Sequence, residues 1–289
     1  MFILKNQSTS LLFNLFRRYH NLKHPFEREL AGIETFEQWE YRRASHAWSV
    51  FLPYASLESL FSQKTIVDIG CGGGGKTLAL LAYCPKQVVG IDLDAAFIEK
   101  AKHFQQQFSG NASFILANAE KMPFKDASVD RVTLLDTFEH LSDPIKILKE
   151  CHRILRPSGL VLISFPPYYH PQGAHVSDLI PIPWVHLFFS EQALCQAYLA
   201  LSTTRKDGFN RRKLKCSYSN HQWELGYINH MTIRKAECIL KQVDFQLKYL
   251  KLIPLRKMMT PLVKHKLLRE FFTHSVAIVL KKGEKEDES

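Results

Sequence analysis

Short apolar runs alternate with amphipathic stretches through the middle of the chain. Thr65–Gly70 (TIVDIG) is apolar and ends in a glycine turn, which predicts a strand, and Lys76–Tyr83 after it reads as a helix. Gln87–Asp92 (QVVGID) predicts a second strand. Ala95–Phe108 predicts a helix with Phe97, Ile98, Ala101 and Phe104 on one face. Ala112–Asn118 predicts a third strand. Asp130–Asp136 predicts a fourth, whose almost unbroken apolar run suits burial on both faces of a parallel sheet. Asp143-Pro144 opens a helix through Leu155, Pro157 and Gly159 stop it, and Leu160–Phe165 is the fifth strand.

Strands alternating with helices in this way give an α/β fold with a doubly wound parallel sheet. Residues 167–231 break the rhythm with many Pro, His and aromatic residues, and read as an insert facing the substrate. Thr232–Val243 then predicts a helix, and Phe245–Ile253 and His274–Leu280 two further strands. Residues 1–62, rich in helix formers and in aromatics (Trp39, Tyr41, Trp48, Tyr54), are expected as an N-terminal helical cap. The core then spans 63–166 and is completed by 232–282, leaving 283–289 as a charged, disordered tail.

Composition narrows the class. Of 289 residues, 46% are hydrophobic and 23% charged, which is globular rather than disordered. No run approaches the roughly 18 apolar residues of a membrane span. The six cysteines are scattered with no C-x-x-C pair, which argues against a zinc ribbon or disulfide scaffold and fits a reducing, cytoplasmic location. The net charge of +10 is uneven: residues 1–204 hold 19 basic and 19 acidic side chains, residues 205–289 hold 19 and 9. The excess is densest at Arg205, Lys206, Arg211, Arg212, Lys213 and Lys215, where nucleic acid, anionic lipid, an acidic small molecule or plain solvent would all be compatible. Residues 1–26 carry no acid but hold Lys5, Arg17, Arg18 and Lys23, a pattern shared by transit peptides, peripheral membrane helices and ordinary packed helices; the last is the expectation.

The densest chemistry lies in Val67-Asp68-Ile69-Gly70-Cys71-Gly72-Gly73-Gly74-Gly75-Lys76-Thr77, a strand, a glycine turn and a helix start. Such a turn cradles a nucleotide-like cofactor, because bare glycine lets a ligand approach the backbone. It parses in two ways. Gly70, four residues, then Gly75-Lys76-Thr77 satisfies a phosphate-binding P-loop, with Lys76 on phosphates and Thr77 on magnesium. The other parse takes VDIGCGGG (67–74) as a cofactor loop, and here the sequence resembles the class I S-adenosylmethionine-dependent methyltransferases, in particular the type-11 group that includes ubiquinone and menaquinone methyltransferases. Gly90-Ile91-Asp92, the segment 117–124 (ANAEKMPF), Asp130-Arg131-Val132 with Phe138-Glu139-His140-Leu141, and 152–159 (HRILRPSG) resemble that group's further motifs, in order.

The resemblance covers about residues 62–166, with a looser echo at 232–281, and implies a Rossmann-like seven-stranded sheet whose last strand is antiparallel. It implies S-adenosylmethionine as cofactor: Gly70, Gly72 and Gly74 beside the methionine part, Asp68 accepting from its ammonium, Asp92 with neighbouring Leu93 at the ribose, and Asn118 and Ala119 at the adenine. The group usually has Asp at position 118, and the Asn amide oxygen can still accept from the adenine amino group.

Methyl transfer is an in-line displacement that needs a base only when the nucleophile arrives protonated. Asp136, Glu139 and His140 are the catalytic candidates, with Asp136 also at the cofactor. Their spacing resembles the segment of ubiquinone O-methyltransferases that holds a divalent metal, so a metal there is a further candidate beside His140 as base. In the insert, Tyr168, His170, His175 and Trp184 are candidate substrate contacts, and Trp184, His186, Phe188 and Phe189 would line an apolar pocket. The leading expectation is methyl transfer to a small or medium-sized acceptor, aromatic or lipid-like. RNA or protein modification through the basic C-terminal region is the alternative partner reading, a peripheral membrane contact stays open, and a P-loop nucleotidase is the outsider.

Overall fold

A computed structural model describes residues 7–17, 35–203, 216–219 and 221–284. Helices α1 (Gln7–Phe16), α2 (Phe36–Trp48) and α3 (Leu57–Phe61) precede strand β1 (Thr65–Ile69). Then follow α4 (Gly75–Ala79), β2 (Gln87–Asp92), α5 (Ala95–Gln105), β3 (Ala112–Leu116), β4 (Val129–Leu135), α6 (Pro144–Ile154) and β5 (Leu155–Phe165). The insert contributes α7 (Val185–Phe188), α8 (Glu191–Ser202) and a hairpin of β6 (Ser217–Ser219) and β7 (Gln222–Glu224). The chain returns through α9 (Ile233–Leu240), β8 (Gln246–Pro254), α10 (Thr260–Lys264), α11 (Arg269–Phe272) and β9 (Thr273–Lys281).

Seven strands form one sheet in the order β3-β2-β1-β4-β5-β9-β8. β1 pairs in parallel with both β2 and β4, while β9 runs antiparallel to β5 and β8. The strand order reverses between β1 and β4, and in such sheets ligands bind outside the carboxyl ends of the strands at that reversal.

Each face of the sheet is buried at its centre, which is why β1, β2 and β4 read as largely apolar runs. Ile147, Leu148 and Ile154 of α6 and Ile233, Ala236 and Ile239 of α9 cover one face. Trp48 of α2 and Phe51, Leu60 and Phe61 cover the other. Trp48 is completely buried, so truncation to Ala would cost about 3–5 kcal/mol. Local signals set the helix starts. Asp143 caps α6 by accepting from Lys146 N at 3.0 Å, with Pro144 at the first position, and Thr35 and Gln38 form a reciprocal capping box on α2.

Several boundaries differ from the sequence reading. The helix expected over Lys76–Tyr83 divides into α4 and a 3-10 turn, Leu80–Tyr83, closed by Cys84 at φ 49°. Leu155, expected as helix, opens β5 because its backbone pairs with Val129 across a register shift, and Ser158 (φ 61°) makes the expected turn within the strand. The N-terminal cap divides as well. α2 and α3 pack on the sheet, whereas Leu12 and Phe16 of α1 join a hydrophobic cluster with Leu194 and Tyr198 of α8, and Thr9 donates to Gln196 at 3.2 Å. In the expected tail, Glu284 accepts from Ser158 at 2.9 Å; residues 285–289 lie outside the described residues, as does the basic stretch 205–215. All six cysteines are free thiols.

Candidate active site

β1 delivers the chain into the glycine turn, where Gly70, Gly72 and Gly74 take φ of 70°, 52° and 82°. These left-handed conformations favour glycine, yet the three positions face different surroundings. A Cβ at Gly70 would meet Thr137 Cγ2 at 2.5 Å, and one at Gly74 would meet Phe114 Cζ at 2.7 Å. One at Gly72 would meet nothing within 4 Å. Gly72 therefore offers bare backbone to a cleft of about 1360 Å³, while Gly70 and Gly74 let the turn pack.

The same geometry removes the P-loop parse. Lys76 Nζ lies 2.7 Å from Asp136 Oδ2 and 3.5 Å from Glu40 Oε1. Thr77 is fully buried and donates to Asp68 Oδ2 at 2.5 Å, and Gly73 and Gly75 press against Glu37 of α2. The two side chains a P-loop needs for phosphate and magnesium are committed to protein carboxylates.

Asp68 is 4% exposed; besides Thr77 it accepts from Thr133 at 2.6 Å, so it ties α4 and β4 to the end of β1. Burial pushes its carboxyl above the ordinary range against the pull of those two hydroxyls. Asp92 ends β2 and accepts from Gly72 N at 3.0 Å and Asp94 N at 2.9 Å, which holds the glycine turn and keeps its remaining lone pairs beside the cleft. Leu93, Asn118 and Ala119 line the same side. Asn118 Oδ1 already accepts from Glu120 N at 2.8 Å, so its Nδ2–H groups and one lone pair are what it presents to a ligand. An open glycine backbone, an acidic acceptor at the second strand and an amide at the third fit an S-adenosylmethionine molecule lying across the switch point.

Beyond the switch point the cleft is walled by Asp136, His140, His170 and His175. Asp136 sits at φ 53°; burial pushes its carboxyl up, but Lys76, aided by His175 and His140, outweighs this and holds it below the ordinary range. His140 stands on a 3-10 turn, Phe138–His140, with Nδ1 2.6 Å from the Tyr227 carbonyl. A carbonyl only accepts, so Nδ1 carries the hydrogen and Nε2 the lone pair. Glu139 is 3% exposed, its oxygens have no hydrogen-bond partner, and burial followed by the charge of Asp136 pushes its carboxyl well up. One ligand atom from each of Glu139, His140 and His175 lies within 4.8 Å of the others. That donor set, a buried orphan carboxylate and two imidazoles, fits a divalent metal; Asp136, held by Lys76, is not part of it.

The structure does not bring every expected residue to the cleft. Tyr168 packs between His186 and His230, with ring centroids at 4.8 and 4.6 Å. Trp184 donates its indole N–H to the Tyr169 carbonyl at 3.1 Å and turns its ring to Phe272, and Phe188 is 74% exposed. Tyr168 and Trp184 thus pack within the protein and Phe188 faces solvent, while Tyr227, His170 and His175 are the insert rings that reach the cleft. Sequence reasoning passed over Tyr227, Glu40 and His274. His274 carried a signal: a polar residue opening an otherwise apolar strand at the ligand edge of the sheet.

Comparison with known proteins agrees with this geometry. Residues 67–163 match the sequence profile of the methyltransferase domain family. A tRNA U34 carboxymethyltransferase from Nautilia profundicola is 29% identical over 142 residues, 49% of this chain and 44% of its own. A ubiquinone biosynthesis O-methyltransferase from Pseudomonas paraeruginosa is 28% identical over 150 residues, 47% of this chain and 64% of its own. The chain thus spans less than two thirds of the length of either relative. A SAM-dependent methyltransferase structure from Methanosarcina mazei, 20% identical, shares the fold with a TM-score of 0.52 over 79% of this chain and 97% of its own. In this central domain, residues 67–163, the chain is similar to the S-adenosylmethionine-dependent methyltransferases of the type-11 group.

Proposed function

We propose that the protein is an enzyme that moves the methyl group of S-adenosylmethionine to a small or medium-sized acceptor whose nucleophile arrives protonated, with His140 as base. The observation that carries this is the Tyr227 carbonyl 2.6 Å from His140 Nδ1, which fixes the ring with its lone pair on Nε2 at the end of β4. As the acceptor atom bonds to the methyl carbon, the carbon–sulfur bond breaks, Nε2 takes the acceptor's proton, and the sulfonium leaves as a neutral thioether. Asp136, kept anionic by Lys76, stabilises the imidazolium that forms.

The cleft of about 1360 Å³ exceeds the roughly 300–1,000 Å³ of a single-ligand pocket and supports two ligands side by side. Its roof of insert residues favours a small acceptor over a folded macromolecule, and so over the RNA or protein reading. No helix among the described residues is long and apolar enough to cross a membrane, and a cytoplasmic enzyme is our reading. A second, metal-assisted version is favoured by the orphan Glu139 carboxylate. A cation on Glu139, His140 and His175 would supply Lewis acidity to an acceptor hydroxyl.

Calorimetry with S-adenosylhomocysteine, with ATP and magnesium as the paired control, tests the proposal. Wild type is expected to bind only the former, and Asp92→Ala to lose about a hundredfold in affinity, the worth of two hydrogen bonds to a charged acceptor. Binding of ATP alone would overturn the reading. Once an acceptor is found, His140→Ala should lower kcat about 10²–10⁴-fold. Metal analysis of wild type and His175→Ala protein addresses the metal-assisted version.

A further inference from the structure

Beyond Asp136 the cleft wall holds two histidines in a fixed relation. His170 comes from the insert and is 7% exposed. Its Nδ1 accepts the Gln172 backbone N–H at 3.1 Å. A backbone amide only donates, so that nitrogen bears no hydrogen and the neutral ring carries it on Nε2. His170 Nε2 lies 3.2 Å from His274 Nδ1 and therefore donates to it. His274, with Nδ1 accepting, must carry its own hydrogen on Nε2. Burial pushes His170 down to about 3, and partial desolvation in the cleft lowers His274.

We propose that His274 presents a fixed Nε2–H donor to an oxygen of the methyl acceptor, and that His170 is the positioning residue that fixes it. The inference rests on the methyltransferase reading only for the identity of the ligand. His274 opens β9 at the ligand edge of the sheet, and His46, Lys251 and Ser275 line the cleft with it. The groups facing His274 are His170 from the insert, His46 from α2 and Asp136 from the end of β4. The carboxylate among them is already paired with Lys76. The donors and the lysine around His274, with Asp136 and the neighbouring Glu40 both held by Lys76, favour an acceptor bearing a carboxylate or phenolate oxygen at this wall. His140 and His274 are opposite tautomers: His140 offers a lone pair on Nε2, and His274 offers a hydrogen there.

Long-range proton–nitrogen correlation spectra of ¹⁵N-labelled protein read the tautomers directly. Wild type should show His170 and His274 both protonated on Nε2 and neutral at pH 7. In His170→Phe, His274 should become a tautomer mixture and titrate at higher pH. In His170→Gln, whose amide can accept from Gln172 and donate to His274, the wild-type pattern should return. Benzoate, titrated into protein saturated with S-adenosylhomocysteine, serves as the anionic probe, with benzylamine as its cationic counterpart. Benzoate should perturb the His274 Nε2–H signal and benzylamine should not. Its affinity should fall about tenfold in His274→Ala and His170→Phe, the loss of one hydrogen bond to a charged group, and recover in His170→Gln. A wild-type His274 protonated on Nδ1, or benzoate affinity unchanged by His274→Ala, would overturn the proposal. If S-adenosylhomocysteine does not bind but the tautomers and the benzoate response hold, the methyltransferase reading fails and the donor site stands.

Discussion

Lys76 Nζ lies 2.7 Å from Asp136 Oδ2, which joins the first residue after the glycine turn's last glycine to the residue that leaves β4. The pair converts what the sequence offers as a phosphate lysine into a clamp across the switch point. Lys76→Ala should therefore leave S-adenosylhomocysteine affinity within about tenfold of wild type and create no ATP binding. It should also cost about 1–2 kcal/mol of stability, a moderate figure because about half of the Asp136 side chain stays in water. Calorimetry and thermal unfolding of one variant check both halves.

Gly70 and Gly72 share a left-handed backbone but not a neighbourhood. Gly70→Ala drives a methyl group to 2.5 Å from Thr137, so the fold should suffer, by about 1–3 kcal/mol. Gly72→Ala finds open space and carries only the left-handed backbone cost of about 1–2 kcal/mol, which Gly70→Ala bears in addition to its clash, while blocking the cofactor. Equal loss of melting temperature in the two variants would show that the turn packs differently.

Glu139 gives a pH signature. Its folded pKa is raised above the ordinary 4.5, so its contribution to stability is full below that value and is lost as pH rises through the folded pKa. Glu139→Gln stays neutral throughout. It should match wild type near pH 4 and become progressively more stable than wild type as pH rises toward 8. Curves that run parallel at all pH values would mean that an ionised Glu139 has a cationic partner, the outcome expected of a bound metal.

Asp68 depends on two hydroxyls. Replacing Thr133 or Thr77 by Val keeps the shape and removes one donor from a carboxylate that is 4% exposed. Each variant should lose about 1–3 kcal/mol in denaturant unfolding, and the double variant less than the sum, because both changes strand the same group.

The strands were legible because burial on both sheet faces demands apolar runs, and Thr65–Ile69 or Val129–Leu135 leave little alternative. The glycine turn was legible as a cofactor loop, but not in its parts: no pattern distinguishes Gly72, open to the cleft, from Gly74, closed on Phe114. What the sequence hides are partnerships across long separations. Thr9 meets Gln196, and His170 meets His274, through contacts that no local spacing encodes. Trp184 misled for a related reason. A large ring in a proline-rich segment needs a dry surface, and Phe272, far along the chain, supplies it.

α1 and the insert share a hydrophobic cluster of their own, in which Leu12 and Phe16 pack with Leu194, Tyr198 and Leu225, apart from the two clusters that hold the sheet. The sheet beneath the cleft and the insert beside it therefore have separate hydrophobic interiors. On the proposed methyltransferase reading, substitutions in the insert can reshape what the cleft admits without disturbing the packing of the glycine turn.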